Sequence, residues 1–183
     1  EKVLIQGKNN FSGASESDRI IIEADPLASP GSVVVSGTGQ QCSDGEAIQV
    51  KRSKFITIRG LTITGVAGQA ISLVGGGINK NQAIHIERNR IFNNGSNGCN
   101  DGIIVVQQNP ETLIINNLIY GNAGNGITLI NADEGQHHIF NTPSTPTAGT
   151  ESVLSRAWTL SSSTTSLPKT APRETPPEGS DLT

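Results

Sequence analysis

Two stretches of this chain repeat one another at a fixed distance, and an internal repeat constrains a fold more tightly than any single motif. The segment Ile84-His85-Ile86-Glu87-Arg88-Asn89-Arg90-Ile91-Phe92 returns as Thr112-Leu113-Ile114-Ile115-Asn116-Asn117-Leu118-Ile119-Tyr120. Asn89 to Asn117, Ile91 to Ile119 and Phe92 to Tyr120 all share one interval. A looser copy runs from Ile56 to Ile63. A second phrase recurs between them: Gln69-Ala70-Ile71-Ser72-Leu73, Asp101-Gly102-Ile103-Ile104-Val105 and Asn125-Gly126-Ile127-Thr128-Leu129. Its copies fall at unequal intervals, so the loops between the repeats absorb differences in length.

Within each copy, apolar residues alternate with others, which is the period of a strand and not of a helix. Each repeat therefore reads as two or three short strands. Such strands cannot bury their apolar face alone, so they must stack on the equivalent strands of the next repeat, about 4.8 Å away, as parallel sheets. Ile71, Ile103 and Ile127 then form one interior row, and Ile63, Ile91 and Ile119 another. Asn89 over Asn117 pairs two amides at a turn. Asn-Gly and Gly-rich pieces such as Asn93-Asn94-Gly95 and Gly121-Asn122-Ala123-Gly124 supply the positive φ angles of sharp corners.

With 183 residues, a net charge of -3, 16% charged and 3% aromatic residues, the chain fits one domain and fits poorly a coiled coil or a basic nucleic-acid binder. No apolar run is long enough to span a bilayer. The chain begins at Glu1 and has no Met, so it reads as a fragment whose leader lies outside it. Cys42 and Cys99 form no disulfide framework and leave the compartment open. Residues 1–141 hold 16 Asn and 19 Gly, whereas residues 142–183 hold no Asn and two Gly. Thr, Ser and Pro make up more than half of that last stretch, which predicts a disordered tail, or a linker or glycosylated stalk. Within 1–141, residues 1–55 read as less regular leading coils and 56–141 as clear repeats. The tail also reads as a frame error. Shifting each codon after Asn141 by one base restores, with permissible third bases, an opening like that of the preceding repeat, with Asn141 standing where Asn116 stands.

The phrase I-x-I-x-x-N-x-I followed by N-G-[IV], carried by Ile84 to Ile91 and again around Asn117 to Ile127, resembles the right-handed parallel β-helix proteins of the pectin lyase-like group. The resemblance covers roughly Ile56 to Asn141. It implies an all-β, right-handed parallel β-helix solenoid, truncated here, with a disordered C-terminal tail. It also implies a polysaccharide or glycan partner and a secreted or cell-surface setting, while composition and the lack of a long apolar run argue for no nucleic-acid partner and no membrane span. One such solenoid serves lyases, glycosidases, epimerases, tailspikes and adhesins, so activity does not follow from it. The family's galacturonan hydrolases carry paired Asp with Gly-His-Gly and Arg-x-Lys, and its alginate epimerases Asp-Pro-His. None of these strings occurs, and the one Asp-Pro, Asp25-Pro26, precedes Leu27. A lyase-like or epimerase-like protein and a non-catalytic structural or adhesive solenoid both remain open, with no catalytic residue assigned.

The candidate ligand-facing residues are Gln69, Asn100, Asp101, Asn125 and Asp133. Asp101 stands at the mouth of its strand in register with Gln69 and Asn125, giving a polar strip at a sheet edge. With Asn100 and Asp133 it offers oxygen ligands suited to calcium, although no motif supports a cofactor or metal site. The ordinary alternative is that these side chains cap turns. His85 and Glu87 alternate with inward isoleucines and face solvent, where they are expected to meet Arg59 in the coil below. With Arg88 and Arg90 that cluster is either a lyase constellation or plain cross-strand ion pairing. Asp133, Glu134, His137 and His138 share a short loop without metal-ligand spacing, and the expected reading is a solvated turn. Phe92 and Tyr120 stack between coils, and become a sugar platform if they face outward.

Overall fold

The computed structural model describes residues 2–7, 11–37, 45–78, 80–95, 101–132, 136–143 and 158–160. Fifteen strands and no α-helix are present among them. The first coil contains β1 (Val3–Gln6), β2 (Ile20–Glu23) and β3 (Val34–Val35), and the next contains β4 (Ile48–Lys51), β5 (Lys54–Arg59) and β6 (Thr62–Thr64). The two regular repeats follow as β7 (Ile71–Val74), β8 (Gln82–Glu87) and β9 (Arg90–Phe92), then β10 (Ile103–Val106), β11 (Thr112–Ile115) and β12 (Leu118–Tyr120). After them come β13 (Ile127–Ile130), β14 (His137–Phe140) and β15 (Trp158–Leu160).

The strands stack by type. Sheet I has the order β1-β4-β7-β10-β13, sheet II β15-β14-β11-β8-β5-β2, and sheet III β12-β9-β6-β3. Every pairing is parallel except β14 with β15, where the tail returns antiparallel along the edge of sheet II. The protein is an all-β parallel solenoid. Beyond Thr142, Pro143 and β15, residues 142–183 lie outside the described residues, as do Cys42 and Cys99.

Isoleucine fills the interior. Ile48, Ile71, Ile103 and Ile127 lie one above another in sheet I. Val35, Ile63, Ile91 and Ile119 do the same in sheet III. The first row is longer than the three copies predict, because Glu46-Ala47-Ile48-Gln49-Val50 is a further, looser copy of the phrase. Sheet II contributes the row Ile22, Ile58, Ile86, Ile114 and Ile139. β-branched side chains stack well in this lattice because their restricted χ1 matches the pleat, and each fully buried one adds about 1.5–3 kcal/mol of transfer free energy.

The corners carry a second regularity. Asn81, Asn89 and Asn94 of one coil lie beneath Asn109, Asn117 and Asn122 of the next, so a buried amide pair stands at every corner of these two coils. The repeated phrase discloses the Asn89–Asn117 pair and not the other two. The geometry is the same at all three. Nδ2 of the lower Asn donates to the Oδ1 above it and to a main-chain carbonyl, that of Val50, Ile58 or Ile63. Its Oδ1 accepts the main-chain N–H of Ser53, Leu61 or Val66 in the coil below. Corner backbone groups that the sheets cannot pair are thereby satisfied, where leaving one buried and unmade costs about 1–3 kcal/mol.

The turn residues are less glycine-dependent than their composition suggests. Left-handed φ recurs in phase at Phe55, Ala83 and Glu111, and again at Gly60, Arg88, Asn116 and Asn141. Phe, Ala, Glu and Arg seldom adopt it, and the lattice of inter-coil hydrogen bonds holds them there: Gly60, Arg88 and Asn116 each donate a main-chain N–H to the next coil, to Glu87, Ile115 and Phe140.

Two stability outcomes follow from these contacts. Ile103→Asp places a carboxyl between two coils and lowers stability by several kcal/mol, measured by thermal or urea unfolding; an unchanged midpoint would contradict the stacking. At the upper end of the II–III ladder, Thr142 Oγ1 accepts the N–H of Asn117 at 3.3 Å and donates to the Phe140 carbonyl, closing the ladder with a single oxygen. An amide at position 142 regains the donor that the lower rungs send to a main-chain carbonyl. Thr142→Asn is therefore expected to raise stability by about 1 kcal/mol.

Candidate functional site

The irregular arm between β2 and β3 turns the corner between sheets II and III into a groove. The arm is shaped by its own turns: Asp25 Oδ1 accepts the N–H of Leu27 at 2.9 Å, Ala28 N–H donates to the Asp25 carbonyl, and Ser32 N–H to that of Ser29. It forms one wall with Asp25, Pro26 and Pro30, while Gly60, Thr62, Arg88, Arg90, Asn116 and Leu118 contribute from successive coils. The groove is open and holds about 830 Å³. Gly60 suits its place because a left-handed corner without a side chain keeps the groove clear beside Ala24.

Charge is unevenly distributed along it. Glu23, Arg59 and Glu87 occupy one outward row of sheet II, in register on successive coils. Arg59 Nε donates to Glu23, and its Nη1 lies 3.6 Å from Glu87. The hydrogen bond that Arg59 donates to Glu23 is the main cause raising its pKa; burial opposes it, and the charges of Glu23 and Glu87 add to the rise. Arg88 Nη2 also reaches Glu87, at 3.2 Å. Arg90 is held differently: its Nε donates to the Tyr120 hydroxyl at 2.8 Å, and its guanidinium lies 4.8 Å from the Phe92 ring centre. Phe92 and Tyr120 stack with centres 5.0 Å apart and planes 1° apart. Both rings are on the outer side of sheet III, as a platform requires, but they cover each other's faces. Their described use is to hold the coils together and fix Arg90.

The polar strip lies at a different corner, where sheet III passes into sheet I. Asp101 Oδ1 accepts the Asn125 N–H at 2.9 Å, and Asn125 Nδ2 donates to Thr128 Oγ1 at 3.2 Å. The Gln69 carbonyl accepts from Ala47. All three are half-buried, and none lines the groove. Asn100 and Asp133 lie outside the described residues. Among the described residues no group of three or more His, Cys, Asp or Glu converges as a metal site.

The histidines separate. His85 faces outward but is half-covered, because Arg19 reaches over sheet II to Thr57 Oγ1 and the Ile56 carbonyl. Burial, then the Arg19 charge, lowers its pKa. His137 points into the core above Thr112 while His138 points out beside Phe140, so the two cannot share a ligand, and Glu134 lies outside the described residues. His137 is 3% exposed, with Nε2 3.1 Å from the Ala132 carbonyl and no partner at Nδ1. Burial is the main cause lowering its pKa. A histidine whose folded pKa is depressed supports the fold fully above its unfolded value near 6.5, and loses that support as pH falls through the folded value. The melting temperature is expected to drop between neutrality and about pH 5. The double variant His85→Gln, His137→Leu should flatten that drop; an identical pH profile would refute the assignment.

No protein-family model, curated protein or solved structure matches this chain. No helix among the described residues is long and apolar enough to cross a membrane.

Proposed function

We propose that this solenoid binds polysaccharide, with the chain of sugars lying in the groove at the II–III corner. The observation that carries the reading is the pair Arg88 and Arg90 set on the floor of an open concavity alongside Asn116, Thr62 and the Asp25 carboxylate of the arm. Guanidinium, amide and hydroxyl groups on successive coils suit a ligand rich in hydroxyls and acidic groups. The strip of Gln69, Asp101 and Asn125 is a second, lesser contact. Its Asp101 carboxylate already commits one oxygen to the next coil.

Binding without turnover is favoured over lyase-like or epimerase-like processing. A lyase base must give up its proton readily, and Arg59 is shifted the other way by Glu23. His85 has the lowered pKa of a base, yet it lies outside the groove lining and beneath Arg19. This makes the structural or adhesive role the better fit.

The test is a screen of the full chain against uronic-acid and neutral polysaccharides, following both retention and the appearance of unsaturated ends. Retention without product is expected. Arg88→Ala and Arg90→Ala should each weaken binding by roughly tenfold, as loss of a charge-assisted hydrogen bond predicts. Unchanged affinity in both variants would remove the groove, and unsaturated products would restore the enzyme reading.

A further inference from the structure

At the I–II corner the second coil turns through Lys51, Arg52, Ser53 and Lys54. Lys51, Arg52 and Lys54 cluster there: Lys51 on the outer side of sheet I, Arg52 at the turn and Lys54 at the start of sheet II. Arg52 and Lys54 are exposed, and Arg52 is held in left-handed backbone at φ 53. None of the three has a carboxylate partner among the described residues. The nearby acids are already engaged, Glu16 by Arg19 and Glu111 by Gln82 Nε2, while Asp18 lies on the arm before β2.

The next coil adds an apolar tip at the same corner. Lys51 is in register with Val74, the last residue of β7, and the chain then runs Gly75-Gly76-Gly77-Ile78 before the Asn81 rung. Ile78 is 97% exposed, the most exposed large apolar side chain among the described residues. Gly76 and Gly77 both have left-handed φ, which lifts the tip outward.

We infer that this corner is a docking surface for an anionic lipid bilayer, with Lys51, Arg52 and Lys54 at the headgroups and Ile78 inserted between them. An exposed isoleucine beside unpaired cations is the pairing that an interface of charged headgroups and acyl chain rewards. A soluble polyanion would use the cations and leave Ile78 without a role. The inference is independent of the glycan groove, which lies at another corner.

The experiment is co-sedimentation of the full chain with phosphatidylcholine vesicles, with and without an equimolar admixture of phosphatidylglycerol, and in parallel retention on dextran sulfate. Binding to the anionic vesicles alone, weakened by salt, is expected. The triple variant Lys51→Gln, Arg52→Asn, Lys54→Gln should lower it by roughly fivefold for each cation removed. Asn at position 52 keeps the left-handed corner accessible, and an unchanged melting temperature confirms folding. Ile78→Ser should lower vesicle binding by roughly tenfold and leave dextran sulfate retention unchanged. No binding to anionic vesicles, equal binding to neutral ones, or vesicle binding indifferent to Ile78→Ser would each overturn the inference, the last in favour of a general polyanion surface.

Discussion

In the coils β7–β9 and β10–β12 the backbone leaves a sheet three times per turn, and at each exit a buried asparagine replaces the hydrogen bonds that the sheet no longer supplies. A solenoid interior has no water to satisfy a stray N–H or carbonyl, so unanswered corners would accumulate penalties of about 1–3 kcal/mol apiece. An asparagine side chain can answer because it carries both donor and acceptor on a short, stiff arm. It donates to a main-chain carbonyl of the coil below and to the amide oxygen above while accepting a main-chain N–H from the coil below. Below these coils the ladder starts on the bare main-chain N–H of Ser53, Leu61 and Val66, and at one corner it stops on Thr142. The regular part of the fold coincides with the extent of this device.

What the sequence discloses depends on whether a position repeats. The isoleucine rows are legible because inward positions recur from copy to copy of the two phrases and tolerate little besides β-branched side chains. Asn89 and Asn117 are legible because they sit inside a repeated phrase. Asn81 beneath Asn109 and Asn94 beneath Asn122 share the same spacing, but in a chain this rich in asparagine before residue 142 they look like ordinary turn formers. The left-handed corners at Phe55, Ala83 and Glu111 leave no trace in residue type at all. Those angles are imposed by the stacking of one coil on the next, and no local propensity announces them.

The candidate groove is illegible for a different reason. Its wall is the arm from Ala24 to Val33, in the irregular leading coils, and its floor is gathered from successive coils that the sequence holds far apart. Arg88 and Arg90 look like charges on an exposed strand until the arm is seen to stand over them. The strip of Gln69, Asp101 and Asn125 fails in the reverse sense. Its register is readable, but what the register creates is largely an inter-coil hydrogen bond from Asn125 to Asp101.

Stacking also dictates where function can reside. Inward positions are fixed by neighbours above and below, so Ile71 cannot change without consulting Ile48 and Ile103. Outward positions in the same strands answer to far fewer partners, and their chemistry differs from coil to coil: Thr57, His85, Leu113 and His138 follow one another in a single row of sheet II. Corners are freer still, since loop length enters there without disturbing the ladder. The two charged corners use that freedom in opposite ways. One has a long arm that closes over Arg88 and Arg90 and so can contact a ligand from more than one side. The other has a short turn through Lys51, Arg52, Ser53 and Lys54 that leaves the side chains of Arg52 and Lys54 exposed. An arm that encloses one corner and an exposed apolar tip at the other, on one set of hydrogen-bonded rungs, separate the two kinds of partner more sharply than the charges do, because arginine and lysine serve both.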